Sequence, residues 1–189
     1  MRGLRIAFAG VVFGALLAHG AAAQTASGDA RAIDPAKSQA RFTVAHIFVD
    51  HVTGTVPLSS GTVAYAAGSL VPARVDATLD PARIESGEPD RDRALAGPDY
   101  FDTQRFPRWT FASTAIVVTG PATFTMDGLL TIHGVTRPEH LGVTIGGDAA
   151  HPVYHAAGQI DRRVFGMKGQ RLDPVIGTLV DVTLDIAVR

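Results

Sequence analysis

Long runs in which apolar and polar residues alternate constrain this chain more than any other feature. Phe124, Met126, Gly128, Leu130 and Ile132 share one parity, against Thr123, Thr125, Asp127, Leu129 and Thr131. Near the C-terminus, Val180, Val182, Leu184, Ile186 and Val188 alternate with Asp181, Thr183, Asp185, Ala187 and Arg189. The same period recurs in Phe42, Val44, His46 and Phe48; in Val75, Ala77 and Leu79; and in Leu141, Val143 and Ile145. It recurs again in Trp109, Phe111, Ser113, Ala115 and Val117. Successive side chains of a strand point to opposite faces, so this pattern specifies antiparallel strands with one dry and one wet face. Turn residues separate the runs at Thr119-Gly120-Pro121, Gly146-Gly147-Asp148 and Asp173-Pro174.

Eight strands follow, near 40–48, 52–65, 73–80, 108–119, 122–133, 137–147, 152–163 and 177–189. A twelve-residue strand reaches roughly 40 Å, long against the usual five or six residues. Such strands must hide their dry face in a sandwich or by curling into a barrel. Eight strands close into a barrel that holds side chains and one small ligand. The expectation is therefore an all-β, eight-stranded antiparallel barrel, with a sandwich as the alternative. Residues 81–107 break the rhythm: Glu88-Pro89 resembles a helix start and Gly97-Pro98 a stop, which predicts a short helical segment at about 88–97. A connection of that length in a compact domain is usually a lid or a plug.

The first 23 residues have a different character. Arg2 and Arg5 precede an apolar run from Ile6 to Ala18, and Ala21-Ala22-Ala23 follows. That order is the signature of a cleavable export signal, too short for a comfortable membrane span. Cleavage after Ala23 leaves 166 of the 189 residues as a single domain, 24–189. Because the leader carries two arginines and no acid, the formal charge moves from −1 to −3. The expected location is the periplasm. The chain has no cysteine, so a disulfide framework, a thiolate metal site and a cysteine nucleophile are all excluded. The charge balance argues against nucleic acid as a partner, and the missing anchor and basic patch limit membrane contact to a transient one.

Few residues in the mature stretch suggest chemistry. Its six histidines are His46, His51, His133, His140, His151 and His155. His151 and His155 lie about 13 Å apart if they share a strand, too far for one ion, so neither a metal nor a cofactor is expected. No nucleophile elbow or phosphate-cradling loop is present. Arg91, within Asp90-Arg91-Asp92-Arg93, is followed by Phe101, Phe106, Trp109 and Phe111. A guanidinium beside aromatics at a barrel mouth suits an amphiphile with its tail inside and its head at the rim. The alternative is a solvated helix start beside ordinary core aromatics.

Several motifs, taken in order, resemble the YceI family. They are Ser38, Phe42-Thr43-Val44, His46 and Gly54; Arg91-Asp92, Leu95, Asp99 to Asp102 and Phe106-Pro107; Thr110 to Thr114; Gly128 to Pro138; and Asp161-Arg162 with Phe165-Gly166-Met167. The resemblance covers about 31–189. It implies a lipocalin-like barrel with an elongated apolar cavity, an exported protein, and binding of polyisoprenoids or similar long-chain amphiphiles, and it allows a homodimer. His46, Arg91, Asp92, Arg137 and Arg162 fall at the family's polar motif positions. Ala94 and Val164 depart from the family pattern, where a histidine and an acidic residue are usual.

These readings predict a non-catalytic binding protein for an isoprenoid or fatty amphiphile. The candidate ligand-binding residues are His46, Arg91, Asp92, Phe42, Phe101, Trp109, Phe111, Phe124, Met126 and Arg162. Two alternatives remain: an enzyme acting on such an amphiphile through His46 and Arg91, or a scaffold whose barrel is filled by its own side chains.

Overall fold

The computed structural model describes residues 29–167 and 173–189, so the candidate leader at 1–23 lies outside the described residues. The chain forms the strands β1 Ala30–Ala32, β2 Gln39–His46, β3 Asp50–Val56, β4 Leu58–Tyr65, β5 Pro72–Leu79, β6 Trp109–Gly120, β7 Thr123–Ile132, β8 Val135–Gly147, β9 Pro152–Asp161 and β10 Ile176–Ala187. The helix α1, Pro89–Ala96, stands between β5 and β6. All strands belong to one antiparallel sheet in the order β1-β4-β5-β6-β7-β8-β9-β10-β2-β3.

The sheet curls back on itself. β1 pairs with β4, Ala30 opposite Ala64, and the next residue, Ile33, bridges Val188 just beyond β10. Asp34 N donates to Ala187 O and Arg189 N to Ala32 O, both at 2.9 Å, and fasten this seam. On the other side, β3 passes into β4 through Pro57. Proline has no N–H to offer a ladder, so the strand breaks there and turns a corner. β3 pairs with β2 before the corner, and β4 with β5 after it.

The ten strands differ from the expected eight at two places. The run 52–65 is divided by Pro57, and β1 is too short to display an alternation of its own. A β-bulge makes a further difference. The β6–β7 register shifts between Ser113 and Ala115, where Ser113 Oγ accepts from Val75 N at 2.8 Å. An extra residue reverses which side chains face inward. The inward row expected to run through Val117 therefore ends at the bulge: Ile116 packs against the core, and Val117 is exposed.

The tight β7–β8 hairpin follows from two residues. His133 and Gly134 have φ of 51° and 74° between the paired Ile132 and Val135, as a two-residue primed turn requires. Inside the sheet, Gly128 interrupts the large inward residues of β7, and the ring of Phe111 from β6 lies across the space. Phe42 lies in the same way over its cross-strand partner Gly54. Two aromatic rings thus take the room that two missing side chains leave.

The segment between β5 and β6 crosses one end of the curled sheet. Glu88 caps α1 through its side chain, with Pro89 in the first turn, and the Gly97 N–H returns to Ala94 O. Phe101 N bonds Leu95 O and Thr103 N bonds Ala96 O, which folds the following loop back on the helix. Reciprocal Thr55–Glu85 backbone bonds tie the segment to β3.

The glycine arrangement gives a stability test. Gly128→Val forces a side chain into the Phe111 ring and is expected to cost about 1–3 kcal/mol. Gly142→Val, where an added Cβ meets nothing within 4 Å, is expected to be neutral or stabilising. Urea denaturation of the two variants checks the contrast.

Candidate ligand cavity

The curled sheet encloses a cavity of about 440 Å³, within the roughly 300–1,000 Å³ typical of small-molecule sites. Its own side chains therefore do not fill the barrel. The wall is almost wholly apolar. β7 contributes Phe124, Met126, Leu130 and Ile132; β8 adds Leu141 and Val143; β10 adds Val180, Val182, Leu184 and Ile186. The wall includes both Tyr154 near the start of β9 and Arg162 just past its end.

Of the residues read from sequence as ligand contacts, Phe42, His46, Arg91, Phe101, Trp109, Phe111, Phe124, Met126 and Arg162 all line this one space. Phe101 meets Trp109 edge to face at 4.7 Å, joining the α1 segment to β6. The Trp109 indole N–H is buried and has no acceptor among the described residues. Asp92 alone stands off the wall. Its carboxylate accepts from Ser86 N at 2.9 Å and from the Ser86 hydroxyl. That hydroxyl in turn accepts from Arg91 Nε at 2.8 Å, while Arg91 Nη2 donates to Ser86 O at 2.7 Å. Asp92 therefore positions Arg91 through Ser86.

His46 and Arg162 are also held in place. His46 Nδ1 accepts from Phe48 N at 3.3 Å, which leaves the proton on Nε2. The buried Arg162 guanidinium donates to Met167 O, Gly177 O and Ile176 O at 2.6, 2.8 and 3.0 Å. It stitches the turn after β9 to the start of β10, so its main task in this fold is structural. Arg137 is exposed and bonds Thr136 O.

At the far end Tyr154 Oη lies 2.8 Å from Leu70 O and 2.9 Å from Tyr65 Oη. With a single proton, Tyr154 donates to the carbonyl and accepts from Tyr65. Burial pushes both phenols up from their ordinary range.

Sequence reasoning missed Ser86 and Glu139. Glu139 lies on β8 two residues before Leu141, opposite Gly128, and lines the cavity. Its parity with Leu141 and Val143 was the available signal. No hydrogen bond or ion pair reaches its carboxyl among the described residues. Burial, and then the nearby Asp161 charge, raise its pKa.

A family model described as a YceI-like domain matches residues 32–188. The chain belongs to the YceI family. It is 27% identical over 151 residues to the UPF0312 protein of Pseudomonas syringae pv. tomato, covering 76% of this chain and 78% of that protein. It is 29% identical over 150 residues to the UPF0312 protein of Shewanella oneidensis, covering 78% of each. Among solved structures, Burkholderia cenocepacia BcnA superposes with a TM-score of 0.75 at 22% identity, over 83% of this chain and 99% of that one. A polyisoprenoid binding domain from Saccharophagus degradans superposes with a TM-score of 0.69 at 16% identity, over 84% and 97%. The two structures share the fold of this YceI-family chain.

Glu139 makes a pH test possible. A carboxyl whose folded pKa lies above its unfolded value destabilises the fold once both states are ionised. The penalty is absent below the ordinary carboxyl value of 4.5 and grows as pH rises through the folded pKa. Glu139→Gln is therefore expected to melt above the parent at neutral pH. The two melting curves should converge in acid, as differential scanning calorimetry across pH would show.

Proposed function

We propose that this protein is an exported, non-catalytic carrier or reservoir for a long-chain amphiphile of isoprenoid or fatty type. The observation that carries the proposal is an unfilled cavity of about 440 Å³ with a nearly all-apolar wall. A ten-carbon tail buried there offers on the order of 8 kcal/mol before ordering costs, enough for useful affinity without any covalent step. The printed description of the Saccharophagus degradans neighbour as a polyisoprenoid binding domain agrees with this cargo. The tail lies among the inward residues of β7 to β10, and the head lies near Arg91, His46 and Glu139. The leader directs the chain to the periplasm and is removed after Ala23.

Glu139 refines the head group. A carboxylate to which none of the described residues donates favours a head that brings a donor, such as an alcohol, and repels a fatty carboxylate. A polyprenol should thus bind more tightly than a fatty acid of similar length, and Glu139→Gln should narrow that gap.

Organic extraction and native mass spectrometry of the protein purified after expression of the full chain test the reading. The expected result is a co-purifying lipid, a polypeptide beginning at Gln24, and displacement of an apolar dye by polyprenols. Ala156→Phe, which fills the cavity from β9, is expected to weaken dye binding about tenfold or more. Recovery of no lipid, together with no dye displacement, would overturn the proposal.

A further inference from the structure

The longest consecutive run of exposed large apolar side chains among the described residues is the turn between β2 and β3. Ile47, Phe48 and Val49 are 70%, 75% and 57% exposed. The turn is held rather than loose. Ile47 N donates to Val175 O, Val49 N to His46 O, and Phe48 N to His46 Nδ1. Asp50 closes it in the left-handed region, with φ of 66°. Apolar residues scattered singly over a surface are ordinary, but three adjacent ones displayed by a fixed turn mark a contact site.

This tip is continuous with the cavity. Val44 and Val52 are cross-strand partners just below it, and both line the cavity wall, as does His46. The His46 ring is also 5.8 Å from the Phe48 ring. An apolar chain lying along the wall at Val44 and Val52 reaches His46, whose ring lies beside that of the exposed Phe48.

We propose that the β2–β3 turn is a lipid-surface anchor: Ile47, Phe48 and Val49 enter the interfacial layer of a bilayer and set the cavity mouth against it. A protein partner or a second copy fits this tip poorly. A standard interface buries about 800 Å² per partner, whereas the apolar tip is three side chains wide and bounded by the exposed Asp50 and His51. A bilayer needs no complementary surface and accepts a small apolar wedge. Residues 46–52 contain no lysine or arginine, so attachment comes from burial and not from attraction to anionic lipid. The purpose of the anchor, cargo exchange with the membrane, rests on the carrier reading above; the anchor itself does not.

Co-sedimentation with phosphatidylcholine vesicles tests it, using protein purified after expression of the full chain. Phe48→Asp is expected to lower vesicle partitioning about tenfold. Val118→Asp, at another exposed apolar position, on β6, should leave it unchanged, and added salt should have little effect. Fluorescence from Phe48→Trp, measured above the native Trp109 signal, should be quenched by lipids brominated on the acyl chain, whereas that from Val118→Trp should not. Parental partitioning of Phe48→Asp, or an unquenched Phe48→Trp on sedimented vesicles, overturns the anchor. It is also overturned if Phe48→Asp only converts dimers to monomers in sedimentation velocity. Vesicle binding that depends on Phe48, in a protein that yields no lipid and binds no polyprenol, supports the anchor and removes the carrier reading instead.

Discussion

An antiparallel sheet that curls on itself sends every second side chain of each strand into one shared space, and the rest of the molecule depends on that constraint. Backbone hydrogen bonds set strand spacing and curvature, so the interior cannot shrink to suit its contents. At Gly128 and Gly54 the strands omit a side chain, and the rings of Phe111 and Phe42 cover the gaps. Elsewhere the inward residues stop short of the centre and leave the cavity. The Ile33–Val188 bridge ties β1 to the end of β10, the Thr55–Glu85 bridge ties β3 to the segment after β5, and the Pro57 corner carries the chain from β3 into β4.

Polar groups are admitted to this interior on different terms. Tyr65 and Tyr154 satisfy each other and Leu70 O at one end. Arg162 spends its donors on carbonyls of the turn after β9 and the start of β10. Arg91 is anchored by Ser86, which Asp92 holds in turn. These arrangements satisfy buried donors within the protein, as a low-dielectric interior demands. Glu139 differs, because its carboxyl faces the cavity without a donor from the described residues and its proton affinity rises. A polar group with no partner among the described residues is the one most sensitive to a ligand's chemistry.

Much of the fold could be read along the chain, because a period of two has only one structural meaning. The rows through Phe124–Ile132 and Val180–Val188 identified β7 and β10, and the Glu88-Pro89 and Gly97-Pro98 signals marked the ends of α1. The site was legible where parity and aromatic content coincide: Phe42, Trp109, Phe111, Phe124 and Met126 all reach the wall. Asp92 and Ser86 were not separable in this way, since both are short polar residues in a segment without period, and only their mutual bonds assign their roles. The Ser113 bulge was equally hidden, because a single extra residue leaves no mark in composition and yet reverses the faces beyond it.

What the sequence determined by itself was local: strand content, the inward rows, the cap residues of α1 and the motifs of the YceI family. These depend on residues near one another in the chain, where steric and hydrogen-bond preferences act directly. The tertiary structure alone decided the ten-strand order, the closing role of β1, the corner at Pro57, and which polar side chains reach the cavity. Each of these is settled by pairing between segments far apart in sequence. Register and curvature, rather than local preference, choose the partner.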